Sequence, residues 1–328
     1  MDFVMRQFEA ECAAAGLNGV EFKYQIPNSA TSREERSSTR ASGSKAHLWV
    51  GFADDVTLFF SNQSDLQKGL QILSSILVRF GLRLSKAKTE TMVLNYSGPA
   101  YPKTLLTLDG DVIQNSEEFR LLGSKVRFDQ PNTGDAEIST RIEAGLCKFA
   151  QMRNLLTNRH IEMQHRQRFF QAYVRSRMTY AAQTWNPSQR QLQRLDSAQL
   201  RLLRRMVHRG SSYVHMPTLQ LAKNLSKAEK RAAYEEAGAD FRLRYTNEDI
   251  YRMTQAEPLS AYVRRQQLKF TAHIIRQGNE RATKQLMFPG GRGRKFGDGM
   301  PSLLKQAYAQ KSELSRDQFH KEARTRKF

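Results

Sequence analysis

Cysteine is nearly absent from this sequence: Cys12 and Cys147 are the only two in 328 residues. Two thiols so far apart build neither a disulfide framework nor a cysteine-based zinc site, and their scarcity suits a reducing compartment. Without cysteines and without an H-x-x-x-H pattern, His160, His165, His208, His215 and His273 read as surface or phosphate-facing groups. No apolar run approaches the length of about 18 residues that a membrane span needs, so no membrane partner is expected. The opening, MDFVMRQFEAE, has acids early and no basic-then-apolar order, which excludes a signal peptide. Together these absences predict an intracellular protein of the cytoplasm and/or nucleus. Acidic residues are also scarce, 32 against 52 lysines and arginines, for a formal charge of +20. A field of that sign attracts polyanions, with nucleic acid the leading partner.

Along the chain the character changes once. Residues 2–15 read as a helix with Phe3, Val4, Phe8 and Cys12 on one face, stopped at Gly16. The segment from Asn28 to Ser44 is polar and aperiodic and predicts a loop. Leu66, Leu70, Leu73, Leu77 and Phe80 follow at helical spacing behind polar caps at 61–64, with Gly81 placed to close that helix. A strand is expected from Thr91 to Tyr96, a hairpin around Asp109-Gly110, and a further strand from Phe119 to Phe128. After Asn132 the pattern is helical: Ile138, Ile142, Leu146, Phe149 and Met152 form one stripe. Further helices are expected at Met163–Trp185, Gln189–Val207, Leu219–Tyr251 and Tyr262–Gln277. Residues 289–301 read as a Gly/Arg-rich loop or tail. The fold class is therefore α+β.

One stretch departs from local rules. In VGFADDVTLFF, Val50 to Phe60, two apolar runs flank Asp54 and Asp55. A two-residue hairpin turn favours glycine or asparagine, because its central residues need positive φ. Asp-Asp supplies no glycine and sets two like charges at the end of an apolar ribbon. Either the pair is a solvated turn, or the carboxylates converge on a divalent cation, as nucleotidyl transfer requires.

Phe52-Ala53-Asp54-Asp55 between apolar strands resembles the metal-binding hairpin of reverse transcriptases. GLRLSKAKTE, Gly81 to Glu90, resembles the next palm element of the non-LTR, LINE-type retrotransposon enzymes, and FRLLGSKV, Phe119 to Val126, their primer-grip strand. RMTYAAQTW, Arg177 to Trp185, looks like part of their thumb. Arg264 to Leu286 resembles their basic C-terminal segment, with Ala272-His273 in place of Gly-His. This resemblance implies a partial reverse-transcriptase palm at 1–130, an antiparallel sheet with packed helices. An all-α thumb would follow at 131–210 and a basic helical tail at 211–328.

It further implies RNA-directed DNA polymerase chemistry on an RNA template, a DNA primer and dNTP, with Mg²⁺, or alternatively Mn²⁺, held by Asp54 and supported by Asp55. Lys88 is then either a cation near the leaving pyrophosphate or a solvated lysine. Leu122 and Gly123 either seat the primer end through their backbone or serve ordinary strand packing. Arginines on the polar helix faces are the candidate phosphate contacts: Arg141; Arg168 and Arg175; Arg201, Arg204 and Arg205; and, near the end, Arg264, Arg265, Lys269 and Arg276.

The family's third metal-binding aspartate and its Gln-Gly/Ser nucleotide-pocket segment belong upstream of the hairpin. No acid among residues 1–53 sits in a strand-like run. The expectation is an incomplete metal site, inactive alone and completed by an upstream polypeptide. A non-catalytic nucleic-acid-binding protein is the alternative.

Overall fold

The computed structural model describes residues 2–26, 41–94, 106–128, 135–207, 213–215, 219, 226–243, 245–288, 307, 309–314 and 316–325. The expected Gly/Arg tail at 289–301 and the last two positions of the strand expected at Thr91–Tyr96 lie outside them; of that strand only Thr91 is strand, and residues 92–94 are irregular. By packing, the chain divides into one unit of residues 1–132 with 268–328 and another of 133–267. The first mixes helices with two-stranded sheets; the second is mainly helical.

In the first unit, α1 (Asp2–Ala14) is followed by β1 (Val20–Ile26), which pairs antiparallel with β2 (Ala41–His47). Residues 41–44 thus lie in a strand rather than in the expected loop, because β1 offers them a ladder from Lys23 to Ile26. The buried face of α1 is Val4, Met5, Phe8 and Cys12; Phe3 points away, its ring edge-on to Phe80. β3 (Trp49–Phe52) and β4 (Asp55–Leu58) form the hairpin, and α2 (Gln63–Arg79) follows it.

The sequence signals for α2 act as chemistry predicts. Asn62 caps it by accepting from the Asp65 N–H at 2.8 Å. At the other end Gly81, at φ +71°, lets its own N–H reach Val78 O and that of Leu82 reach Leu77 O, closing a Schellman motif. Val4, Met5, Phe8 and Cys12 of α1 join Leu73, Ile76 and Leu77 of α2 in one cluster, on which Trp49, Val56, Leu58 and Phe60 pack.

β5 (Glu90–Thr91) pairs parallel with β8 (Gln114–Asn115). Between them, β6 (Thr107–Leu108) and β7 (Asp111–Val112) make the Asp-Gly hairpin, with φ +49° at Asp109 and +86° at Gly110. β9 (Glu118–Leu121) pairs with β10 (Ser124–Arg127). The last helices of this unit pack on β1: Ile26 shares a cluster with Ile274, Ile275, Met287, Phe288 and Phe319.

In the second unit, α3 (Asp135–Gln151) buries Ile138, Gly145 and Phe149, with Ile142, Leu146 and Met152 packed against the same core. After α4 (Arg153–Leu156), helix α5 (Met163–Phe169) runs through a π-helical segment, Phe170–Arg175, into α6 (Ser176–Met178). The helix expected to reach Trp185 stops here, since Ala181 takes φ +56°. α7 (Gln189–Val207) starts behind reciprocal bonds between Ser188 and Gln191.

The segment expected to be helical from Leu219 to Tyr251 is instead interrupted. β11 (Tyr213–His215) pairs with β12 (Asp240–Leu243), which separates α8 (Lys227–Glu236) from α9 (Asn247–Thr254). Capping boxes at Ser226/Glu229 and Thr246/Asp249 set where these helices begin. α10 (Leu259–Arg276) contributes residues to both units. Buried Gln199 ties α7 to the start of α10, donating to Glu257 O at 2.9 Å and accepting from the Leu259 N–H at 3.0 Å.

Cys12 is fully buried and Cys147 exposed. Burial, helped by the Glu11 charge, pushes the Cys12 thiol up to about 11 from an ordinary value of 9.0. The unfolded chain therefore loses this proton first as pH rises. The linked stability is complete below about 9 and is lost as pH climbs to about 11. Thermal unfolding across that range should show a decline that Cys12→Ala flattens. A thiol reagent near neutral pH should label Cys147 alone until denaturant is added; prompt labelling of both thiols in the native protein would contradict this burial.

Candidate functional site

The register of β3 against β4 decides where the acids go. Trp49 faces Leu58, Val50 faces Thr57, Gly51 faces Val56, and Phe52 faces Asp55. The turn is therefore Ala53-Asp54, one residue earlier than the Asp-Asp turn the sequence suggests. Only Asp54 sits at the tip; Asp55 is the first residue of β4. The reason is the apolar alternation. Trp49, Val56 and Leu58 must reach the α1/α2 cluster, and a one-residue slip would turn them to solvent.

Gly51 lies on that inner face, where a Cβ would meet the Trp49 ring at 2.8 Å. Gly69 of α2 plays a similar part beneath the hairpin, since a Cβ there would stand 2.3 Å from the Phe60 ring. The indole N–H of Trp49 donates to Glu9 of α1 at 2.9 Å.

By the same alternation the other face carries Val50, Phe52 and Asp55. Val50 is 54% and Phe52 66% exposed. Ala53 takes φ +55°, a conformation that costs a non-glycine residue about 1 kcal/mol or more. Asp54 and Asp55 are both exposed, and among the described residues neither carboxylate has a hydrogen bond or an ion pair. Two free, hard oxygen donors fit Mg²⁺ in kind. They fall short in number: among the described residues no group of three or more His, Cys, Asp or Glu could hold a metal ion.

Lys86 and Lys88 lie in a 3₁₀ turn, Lys86–Lys88, closed by Lys88 and Thr89 N–H bonds to Ser85 O. Their roles differ. Lys86 donates to Asp111 at 2.6 Å and lies 3.9 Å from Asp109, so the tip of the Asp-Gly hairpin holds it. The bond to Asp111 raises its pKa above the ordinary lysine value. Lys88 is exposed and, among the described residues, unpartnered.

Leu122 and Gly123 do not continue a strand. They are the turn of the β9–β10 hairpin, with φ +48° and +81°. Both central residues at positive φ define the hairpin turn that favours Asn-Gly. Leu122 is 45% exposed, so packing does not account for a leucine there. Sequence alternation misses this turn because Glu118–Arg127 keeps a strand-like pattern on both sides of it.

The cations separate into two groups. Arg141 is turned inward, bonded to Glu137 at 2.6 Å and lying 4.7 Å from the Tyr180 ring centre. Arg204 is buried and donates to Asn247 at 2.9 Å. Arg175 and Arg265 share Glu257, and both lie over the Tyr262 ring. Arg264 donates to Gln189, and Arg276 to the carbonyl of Ala323. Arg168, Arg201, Arg205 and Lys269 are exposed and unpaired among the described residues.

Sequence reading also missed Arg166. It is buried and donates to the carbonyls of Ile161, Leu156 and Met206, the last two at helix ends. Desolvation, then the nearby Arg159 charge, lowers its pKa below the ordinary arginine value.

Residues 26–126 match the family model described as reverse transcriptase (RNA-dependent DNA polymerase). The matched stretch contains the β3–β4 hairpin, the lysine turn and the Leu122-Gly123 turn, and spans less than half of the chain. No curated protein and no solved structure matches. Among the described residues, no helix is long and apolar enough to cross a membrane.

If Leu122 is held at positive φ, asparagine there should stabilise the β9–β10 hairpin by roughly 0.5–1 kcal/mol, and valine should weaken it by at least as much. Amide hydrogen exchange of residues 118–127 would register the difference. Equal effects of Leu122→Asn and Leu122→Val would show that the turn carries no such constraint.

Proposed function

We propose that the segment carrying these hairpins is palm material of a non-LTR, LINE-type reverse transcriptase, followed by a helical thumb and a basic C-terminal region. The observation that carries the reading is the pairing of two devices within the matched residues. One is a hairpin with two unpaired carboxylates at its tip and first strand residue, and the other is a hairpin with a strained, exposed Leu-Gly turn. Backbone strain and unpartnered charge accumulate where a ligand compensates them.

Asp54 and Asp55 would hold Mg²⁺. When bound, that ion supplies charge neutralisation at the phosphates during nucleotidyl transfer. Lys88, free to extend, is placed in this reading to meet the departing pyrophosphate. Leu122 and Gly123 would present backbone groups to the primer end. Two carboxylates leave the coordination incomplete, so a further acid must come from outside the described residues, on this chain or another.

The expected result for this chain alone is no Asp54-dependent primer extension on a homopolymer template. Mn²⁺, used as a paramagnetic probe, should nevertheless broaden resonances at the hairpin tip in wild type and not in Asp54→Ala/Asp55→Ala. Robust Mg²⁺-dependent incorporation lost in Asp54→Ala would refute the incomplete-site reading. Absence of any broadening at the tip would remove the metal role itself.

A second reading, a non-catalytic nucleic-acid-binding protein, is favoured by the free cations of the second unit. Arg201 and Arg205 stand one turn apart on α7 and, among the described residues, pair with no acid, an arrangement that weakens a helix unless a polyanion is present. Replacing both with glutamine should reduce the slope of log affinity against log salt by about 1.8 on duplex DNA. An unchanged slope would exclude them from the interface.

A further inference from the structure

Three cations from separate helices meet within the first unit, and no carboxylate joins them. After α10 the chain turns through residues 277–281 into α11 (Ala282–Met287), and α12 (Arg316–Arg324) ends beside that turn. Two hydrogen bonds fix the junction. Lys284 Nζ of α11 donates to the carbonyl of Gln277 at 2.6 Å, and Arg276 Nη1 donates to the carbonyl of Ala323 at 2.6 Å. Gln277 follows Arg276 in the chain, and Arg324 follows Ala323. The same junction therefore carries Arg276, Lys284 and Arg324, all of the first unit.

Helix capping accounts for part of this. Both carbonyls lie at helix C-termini, where a cation is favourable. The bond to Gln277 uses one of three N–H groups on the Lys284 ammonium. The half-buried Arg324 guanidinium has no hydrogen bond or ion pair among the described residues, and none of the three cations pairs with a carboxylate there. Glu280, a nearby acid, is exposed and stands 3.9 Å from Arg281. Lys284, by contrast, is only 6% exposed. Desolvation, then the Arg324 charge, lowers its pKa below the ordinary lysine value, and the Glu280 charge opposes this only in part. Desolvation lowers the pKa of Arg324 as well. A buried ammonium beside a second cation is costly unless an anion compensates it.

We propose that Arg276, Lys284 and Arg324 bind a phosphate group. Donors reaching in from three helices suit a tetrahedral oxyanion, which accepts in several directions, better than a planar carboxylate. With Lys284 nearly enclosed, a phosphate with three free oxygens can reach it, whereas an internal phosphodiester is hindered on both sides. Two sources share that chemistry: inorganic phosphate and the terminal phosphate of a nucleic-acid strand. The site lies outside the matched segment and stands independently of the polymerase reading.

The test is thermal unfolding of the full chain with sodium phosphate replacing chloride at constant ionic strength. About 50 mM phosphate should raise the Tm of wild type by about 2–4 °C more than that of Arg324→Gln or Lys284→Met. The variants keep the general salt effect of phosphate, so the difference isolates the site. Acetate at the same concentration should produce no such difference. In chloride, Lys284→Met should melt no lower than wild type, because it removes an uncompensated buried charge; a purely capping lysine would lose stability in both buffers. Fluorescence anisotropy with a labelled single strand separates the sources. Binding about tenfold tighter with a 5′-phosphate than with a 5′-hydroxyl, lost in Arg324→Gln, assigns the strand terminus. Equal binding of both strands, with the thermal difference intact, assigns inorganic phosphate. Equal phosphate shifts in wild type and Arg324→Gln, an equal difference with acetate, or a lower Tm of Lys284→Met in chloride would each overturn the site.

Discussion

The pairing register of one short hairpin governs the candidate site. Trp49, Val56 and Leu58 bury against α1 and α2 only if Phe52 stands opposite Asp55. Their burial, together with the Trp49–Glu9 bond, outweighs the strain of about 1 kcal/mol or more that the register imposes on Ala53. Everything chemical about the hairpin follows from it. Asp54 is pushed to the tip, Asp55 is turned to the open face, and Val50 and Phe52 are left in solvent on the strand beside them. An isolated two-stranded ribbon is marginal in water, so the helical cluster beneath it makes this geometry persist.

What was legible in the sequence was whatever depends on local chemistry. Asn62 and Gly81 bound α2 because an N-cap acceptor and a positive-φ glycine act within one helical turn. Asp109-Gly110 announced its hairpin for the same reason. What was not legible depends on partners distant in the chain. Residues 41–44 look like loop until β1 is set beside them, and β12 interrupts a helical pattern because β11 offers a ladder. The Leu122-Gly123 turn was hidden by continuous alternation on either side, although the glycine itself was a signal. The acid pair was visible as an anomaly, but its turn was misplaced by one residue because propensity alone does not say which face must be buried.

The arginines show a related limit. A basic stripe on an amphipathic helix reads as one surface, yet its members divide between structure and solvent. Arg166 uses a guanidinium where helix ends leave carbonyls without donors, satisfying three chain segments from one side chain. Arg204 does similar work toward Asn247, and Arg141 is held between Glu137 and Tyr180. These structural arginines keep their charge but are not free to move onto a phosphate. The side chains that remain exposed and unpaired among the described residues include Arg168, Arg201, Arg205 and Lys269.

Two carboxylates, Asp54 and Asp55, stay free among the described residues on a chain of charge +20. An exposed aspartate amid excess cation would ordinarily collect a lysine, and a paired carboxylate is a poorer metal ligand because the ion must displace the ammonium. In the lysine turn only one of the two ammonium groups is engaged: Asp111 and Asp109 hold Lys86 at the tip of a different hairpin. That tether fixes the start of the turn, while Lys88 at its end stays exposed. The arrangement leaves two carboxylates on the hairpin and one ammonium on the lysine turn without a partner among the described residues.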